Sequence, residues 1–247
     1  MSRRPEVSPP VAESRPSLNE SYQRARAHHG GGGLFTESVN DRLGSWVAAL
    51  GISRGVHPTL ITLTDFALAL VGSVVVIARA DQAQSWWVPG AMAFVLWQLA
   101  YVLDCADGQV ARATGKRSDF GARVDVLVDF SVQISILCAL VAVISRFAGT
   151  SPALLALFAT TWLTGMITFL LGRADGNVGH SFTTSNRGLV GVLKLGRDDG
   201  FALFVVSGWL MVAPESVVIP VMVFTLVNIA FLLASIAREA WLSMRRA

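Results

Sequence analysis

Four aspartates, Asp104, Asp107, Asp125 and Asp129, crowd one short stretch of a chain that is otherwise poor in charge. The stretch reads Asp104-Cys-Ala-Asp107-Gly108-Gln-Val-Ala111-Arg112 and resumes as Gly121-Ala-Arg-Val-Asp125-Val-Leu-Val-Asp129. Residues three and four apart share a helix face. Asp104, Asp107 and Ala111 therefore form one stripe with Gly108 beside it, and Asp125 and Asp129 stack one turn apart on the next helix. Carboxylates gathered in this way repel and raise one another's pKa, a conflict that divalent cations resolve. All-oxygen ligation suits Mg2+, Mn2+ or Ca2+ rather than zinc. Mg2+ commonly pairs a few carboxylates with substrate phosphates, which points to a diphosphate ligand. Arg112 can fork onto phosphate oxygens, and the small residues Gly108, Ala111 and Gly121 allow close approach.

The elements that must position these acids are apolar. The chain has 247 residues, 53% hydrophobic and 15% charged, against about 25% charged in an ordinary soluble domain. Acids beside such long apolar runs are a functional signal, because a carboxylate near hydrocarbon is expensive. Residues 1–33 are rich in Pro, Ser, Arg and Gly and read as a disordered cytoplasmic tail with no apolar leader. Residues 34–247 are expected to form one membrane domain. In Leu34–Gly51, the residues Val39, Leu43, Trp46, Val47 and Leu50 recur at helical steps. They predict an amphipathic interfacial helix over about 36–50. Six apolar segments follow, roughly 60–79, 86–103, 124–145, 151–172, 199–213 and 216–237, the fifth being short for a bilayer. The expected fold is thus all-α, with six transmembrane helices and a cytoplasmic interfacial helix before them.

If six helices alternate, all of the twenty Lys and Arg except Arg79 and Arg146 fall on one side. That side is predicted to be cytoplasmic, which places both termini and the acidic site there, in a multi-pass protein of the cell membrane. The basic residues then meet anionic lipid headgroups, and no nucleic-acid partner is needed. Cys105 and Cys138 do not suggest a disulfide framework.

The acidic stretch resembles the CDP-alcohol phosphotransferase (CDP-alcohol phosphatidyltransferase) family, whose signature is D-x-x-D-G-x-x-A-R, a spacer, then G-x-x-x-D-x-x-x-D. Asp104, Asp107, Gly108, Ala111, Arg112, Gly121, Asp125 and Asp129 fill every fixed position, and Ala113–Phe120 has the spacer's length. The resemblance implies transfer of a phospho-alcohol group from a CDP-linked donor, such as CDP-diacylglycerol, to a polar alcohol, with release of CMP in phospholipid synthesis. It implies two divalent ions, Mg2+ or Mn2+, on Asp104, Asp107, Asp125 and Asp129, with Asp129 as the base. Gly108, Ala111, Arg112, Gly121 and Thr62 would hold the donor, and a homodimer is expected. Phe130 follows Asp129 where many bacterial members have Lys or Arg. Thr59 replaces the Asn of a Pro-Asn-x-x-Thr run that ends here at Thr62.

Arg117, Arg123, Arg187, Lys194 and Arg197 are candidates for a phosphorylated acceptor. Inositol phosphate is the first guess, then glycerol phosphate or serine, because Val39-Asn-Asp-Arg-Leu43 is similar to the entry region of members that use inositol phosphate. Asp65, less than two turns into the first span, is expected either to bond to a neighbouring helix or to line the polar cavity, the cavity being slightly favoured. The rival readings are a transferase with a soluble CDP-alcohol donor, a membrane prenyltransferase and a divalent-cation transporter.

Overall fold

The computed structural model describes residues 16–30, 33–80, 85–147, 151–174, 195–196 and 198–246. These residues are helical with short connections. In chain order they form α1 (Leu18–Ala27), a π-helical turn (Thr36–Asn40) running into α2 (Asp41–Arg54), α3 (Pro58–Arg79), α4 (Trp87–Ala113), α5 (Asp119–Phe147), α6 (Pro152–Ala174), α7 (Asp199–Val212) and, after a 3-10 turn (Pro214–Ser216), α8 (Val218–Arg246). Among the described residues four helices are long and apolar enough to cross a membrane: α3, α4, α5 and the segment Pro214–Ala234. Helix α6 extends over 23 residues, and α7 is apolar but only 14 residues long.

Helix α4 is the hub, packing against α3, α7 and α2, while α5 lies on α3. Trp97 of α4 is fully buried, and its indole N–H donates to the Ala69 carbonyl and the Ser73 hydroxyl of α3, each at 3.2 Å. Ser73 in turn lies 3.0 Å from Ser135 of α5. Hydroxyls inside spans also return to the carbonyl one turn back, as Ser73 does to Ala69 and Thr225 to Val221. That local bond lets a polar group sit at lipid depth without an orphaned donor.

The apolar stripe predicted on α2 faces outward. Leu43, Trp46 and Leu50 are exposed, whereas Gly44, Ser45, Ala48 and Ala49 are buried. Small residues pack where backbones approach closely, and a β-carbon at Gly44 would meet the α4 backbone at Val102 and Ala106. The same division governs α3, with Leu63, Leu70, Val74 and Ile77 outward and Ala69, Ser73 and Val76 inward. Small and polar residues fill most of the inward face of both helices, and most of the larger aliphatic ones turn out.

One feature departs from expectation. Within the segment read as a disordered tail, Leu18–Ala27 is a helix. Its start carries a capping box, in which the Glu20 amide donates to the Ser17 hydroxyl at 3.3 Å and the Ser17 amide to the Glu20 carboxylate at 2.9 Å. That amide bond holds the Glu20 carboxyl below its ordinary value. Ala25 is buried against Ala48, Ile61, Ala106 and Val110, and Tyr22 stacks on Trp46 at 4.4 Å. A short polar helix is stable here because it has a packed partner, which composition averaged over the tail concealed. Residues 1–15, 31 and 32 of that tail lie outside the described residues.

Asp198, on which the sequence analysis placed no expectation, is buried and serves two helix starts at once. It caps α7 by accepting from the Phe201 amide at 3.2 Å. It also accepts from the Phe35 and Thr36 amides at 2.7 and 2.9 Å and from the Thr36 hydroxyl at 2.6 Å. Both helix N-termini favour the negative charge. Asp198→Ala is expected to cost about 2–4 kcal/mol, since it leaves buried amides without their acceptor. Asp198→Asn should cost less. Thermal unfolding in detergent checks the order of the two.

Candidate active site

The acids are delivered by helix continuity. α4 does not end with its apolar run but continues to Ala113, carrying Asp104, Asp107, Gly108, Ala111 and Arg112 on its last turns. The turn after it uses Gly115 at φ 67°, a left-handed conformation that only glycine adopts without penalty. Ser118 then starts α5, its hydroxyl accepting from the Gly121 amide at 3.0 Å. The connector is therefore only residues 114–118, and Asp125 falls on the second turn of α5.

Oxygens of Asp104, Asp107 and Asp125 lie within 4.8 Å of one another. Asp107 is buried, and Asp104 and Asp125 are half-buried. The donor set is three hard carboxylates from two helices, and no sulfur or imidazole joins it among the described residues. Cys105, between the two α4 acids, turns instead toward Asp41. This chemistry fits a divalent cation such as Mg2+ or Mn2+. The fourth predicted ligand, Asp129, is one turn further along α5 and outside the trio.

Thr62 of α3, read from the sequence as a donor-binding residue, donates its hydroxyl to Asp107. Asp65, one turn on, is buried with 3% exposure. The face that carries it pairs Thr62 with Asp107 at one end and Ala69 and Ser73 with Trp97 at the other. Because α3 and α4 run antiparallel, this register sets Asp65 level with Asp104. Asp104, Asp107 and Asp125 are the charged groups whose field reaches it.

Arg112 folds its guanidinium back over Gly108, where an added β-carbon would come within 2.9 Å of Nη1. Its Nε–H donates to the His28 carbonyl at 2.7 Å. Ala111 and Gly121 are half-buried at the facing ends of α4 and α5. Arg117 and Arg123 are exposed. Arg123 borders a shallow groove with Ala122, Val126 and Leu127, on a different face of α5 from Asp125. The remaining acceptor candidates, Arg187, Lys194 and Arg197, lie outside the described residues.

Sequence reading passed over two further residues near the site. His57 caps α3, its ring Nδ1 accepting from the Thr59 amide at 3.3 Å, and Pro58 follows at the first helical position, where its missing N–H costs nothing. Gln109, inside the motif and fully buried, donates to the Asp41 carbonyl at 3.2 Å and to its carboxylate at 3.4 Å, fastening α2 to α4. Burial pushes the Asp41 carboxyl above its ordinary value, while His29, Gln109 and Arg26 act against that rise.

Comparison with known proteins agrees with this geometry. Two curated relatives, each named "Bifunctional IPC transferase and DIPP synthase", come from Thermococcus kodakarensis and Archaeoglobus fulgidus. The first is 29% identical over 110 residues, 44% of this chain and 23% of the relative. The second is 29% identical over 136 residues, 53% of this chain and 26% of the relative. The chain thus matches about a quarter of the length of each. A model of the CDP-alcohol phosphatidyltransferase family matches residues 55–241, which hold all four acids, Thr62 and Arg112. The chain belongs to the CDP-alcohol phosphatidyltransferase family.

Proposed function

We propose that the chain is a membrane transferase that moves a phosphatidyl or similar phospho-alcohol group from a CDP-linked donor to a polar alcohol. The observation that carries this reading is the trio Asp104, Asp107 and Asp125, held within 4.8 Å inside the segment the family model matches. The preferred donor is CDP-diacylglycerol, because the acids sit at the ends of spans where an acyl chain and a nucleotide can each keep their own solvent. A soluble CDP-alcohol is the second choice.

In this reading the acceptor oxygen attacks the donor's β-phosphorus. The bond from that phosphorus to the CMP oxygen breaks, and the acceptor proton passes to Asp129. Asp104, Asp107 and Asp125, with Asp129 on the second ion, would hold two divalent ions, Mg2+ or Mn2+, which would supply charge neutralisation for the pyrophosphate and the departing CMP. Thr62 orients the Asp107 carboxylate through its hydroxyl. Gly108, Ala111, Gly121 and Arg112 line the place of the cytidine phosphate. Phosphoryl transfer needs positioning and charge neutralisation more than covalent help, and these residues offer both.

The acceptor is a polar alcohol, inositol phosphate first, then glycerol phosphate or serine. Arg117, Arg123, Arg187, Lys194 and Arg197 are its proposed contacts. We further propose six spans, α3 to α8, with α2 lying in the interface on its exposed Leu43, Trp46 and Leu50. The charge asymmetry supports both termini and the active site facing the cytoplasm. A homodimer is proposed on family grounds. A divalent-cation transporter fits less well, since the acids lie toward one end of α4 and α5 and not at their middle.

Purified protein supplied with CDP-diacylglycerol, Mn2+ and each acceptor in turn should release CMP and yield a lipid product identifiable by mass. Mn2+ flux without CMP release would favour the transporter. Asp125→Asn should weaken Mn2+ binding more than about tenfold and abolish turnover. Asp129→Asn should lower turnover by roughly 10²–10⁴-fold while the tighter Mn2+ affinity is kept. Asp65→Asn, removing a buried carboxylate beside the trio, should weaken Mn2+ binding by about tenfold. Full activity in Asp129→Asn would remove the base assignment.

A further inference from the structure

We propose that α1 and the His28–Gly30 segment form a positioning clamp for Arg112, setting the direction in which that guanidinium meets the donor's phosphate. The inference rests on the reading of Arg112 as a donor-gripping residue. It assigns a role to a part of the chain that lies outside residues 55–241, the stretch matched by the family model.

Arg112 sits in a slot with two walls. On one side it lies against Gly108, where a β-carbon would come within 2.9 Å of Nη1. On the other side Nε–H donates to the His28 carbonyl at 2.7 Å, and a β-carbon at Gly30 would stand 3.4 Å from Nη2. A guanidinium is planar, so a bond at Nε fixes its plane and hence the direction of both Nη groups. A long side chain at a helix end otherwise samples many rotamers, and ordering it costs part of the binding energy.

The acceptor is a main-chain carbonyl at the end of α1, so its position depends on how α1 is seated. That seating is well determined. Ser21 and Ala25 are buried, and Ala25 shares one buried cluster with Ala106 and Val110, neighbours of the motif residues themselves. Tyr22 stacks on Trp46. Arg26 and His29 act on the carboxyl of Asp41, to which Gln109 of the motif donates. The clamp therefore meets the motif helix at Arg112 and in the cluster that holds Ala106 and Val110, and reaches Gln109 through Asp41.

The test is a double-mutant cycle on the full chain in detergent with Mn2+, read by the dissociation constant for CMP and by thermal unfolding. Ala25→Trp overfills the buried seat of α1. Arg112→Lys keeps a positive charge but has no Nε–H to be held. Ala25→Trp is expected to raise the CMP dissociation constant about tenfold in the Arg112 protein, the scale of one charge-assisted hydrogen bond. In the Arg112→Lys background it should change the constant less than about twofold. Equal losses in both backgrounds would make α1 a stability element only, and tighter CMP binding would make it an occluding one; either result, or no change, overturns the proposal. If Ala25→Trp does not fold, Tyr22→Ala reads the same cycle through loss of the stack on Trp46. Wild-type protein that binds no CMP would overturn the donor reading itself, an outcome distinct from a cycle without coupling.

Discussion

Mutual repulsion of carboxylates near hydrocarbon is the constraint on which the arrangement depends. Asp104, Asp107 and Asp125 come within 4.8 Å, with buried Asp65 alongside. Such a cluster is costly by itself, because desolvation and like charge both disfavour it. It persists only where the surrounding helices over-determine it. α4 must run past its apolar stretch to present two acids, α5 must start early enough to present the third, and α3 must bring Thr62 to Asp107. The Trp97–Ser73–Ser135 connection fixes those three helices relative to one another deeper in the bundle. The strain of gathered charge is what a divalent cation would relieve, so the energy that opposes the empty arrangement favours its loading.

The meeting of Asp104, Asp107 and Asp125 was legible in their spacing, whereas Asp129 stands outside the trio. Acids at steps of three and four predict one face whatever surrounds them, and long apolar runs predict spans. Asp65 could be suspected from its polarity in an apolar run, but its level beside Asp104 needed the antiparallel register of α3 and α4. The amphipathic stripe of α2 correctly announced a helix, and the face that turns inward is the one bearing Gly44, Ser45 and Ala48. Helix α1 had a local signal, Ser17 followed by Glu20 three residues later. It was overridden by the composition of the tail around it. The contacts of Asp198 had no local signal, since its partners Phe35 and Thr36 lie far away in sequence.

The glycine of the acidic motif gains a structural meaning from this chain. Gly108 leaves room for the guanidinium of Arg112, one helical turn later, to lie against the backbone. The pair acts as one unit, a missing side chain and a long one that occupies its place. A substitution at either position disturbs the other, and the wall supplied by His28–Gly30 makes that unit depend on a segment distant in sequence.

Asp198 has a bearing on how the protein is made. Its bonds to Phe35 and Thr36 span sequence separations of 163 and 162 residues, so the amides that open the leading amphipathic helix wait for their acceptor until most of the polypeptide has left the ribosome. Until then that helix is held by its contacts with α4. Contacts of such separation close slowly, after local helices have formed. Final tightening of the amino-terminal region onto the acid-bearing helix is therefore a late event in biogenesis, timed by synthesis of the fifth apolar helix rather than by the acids themselves.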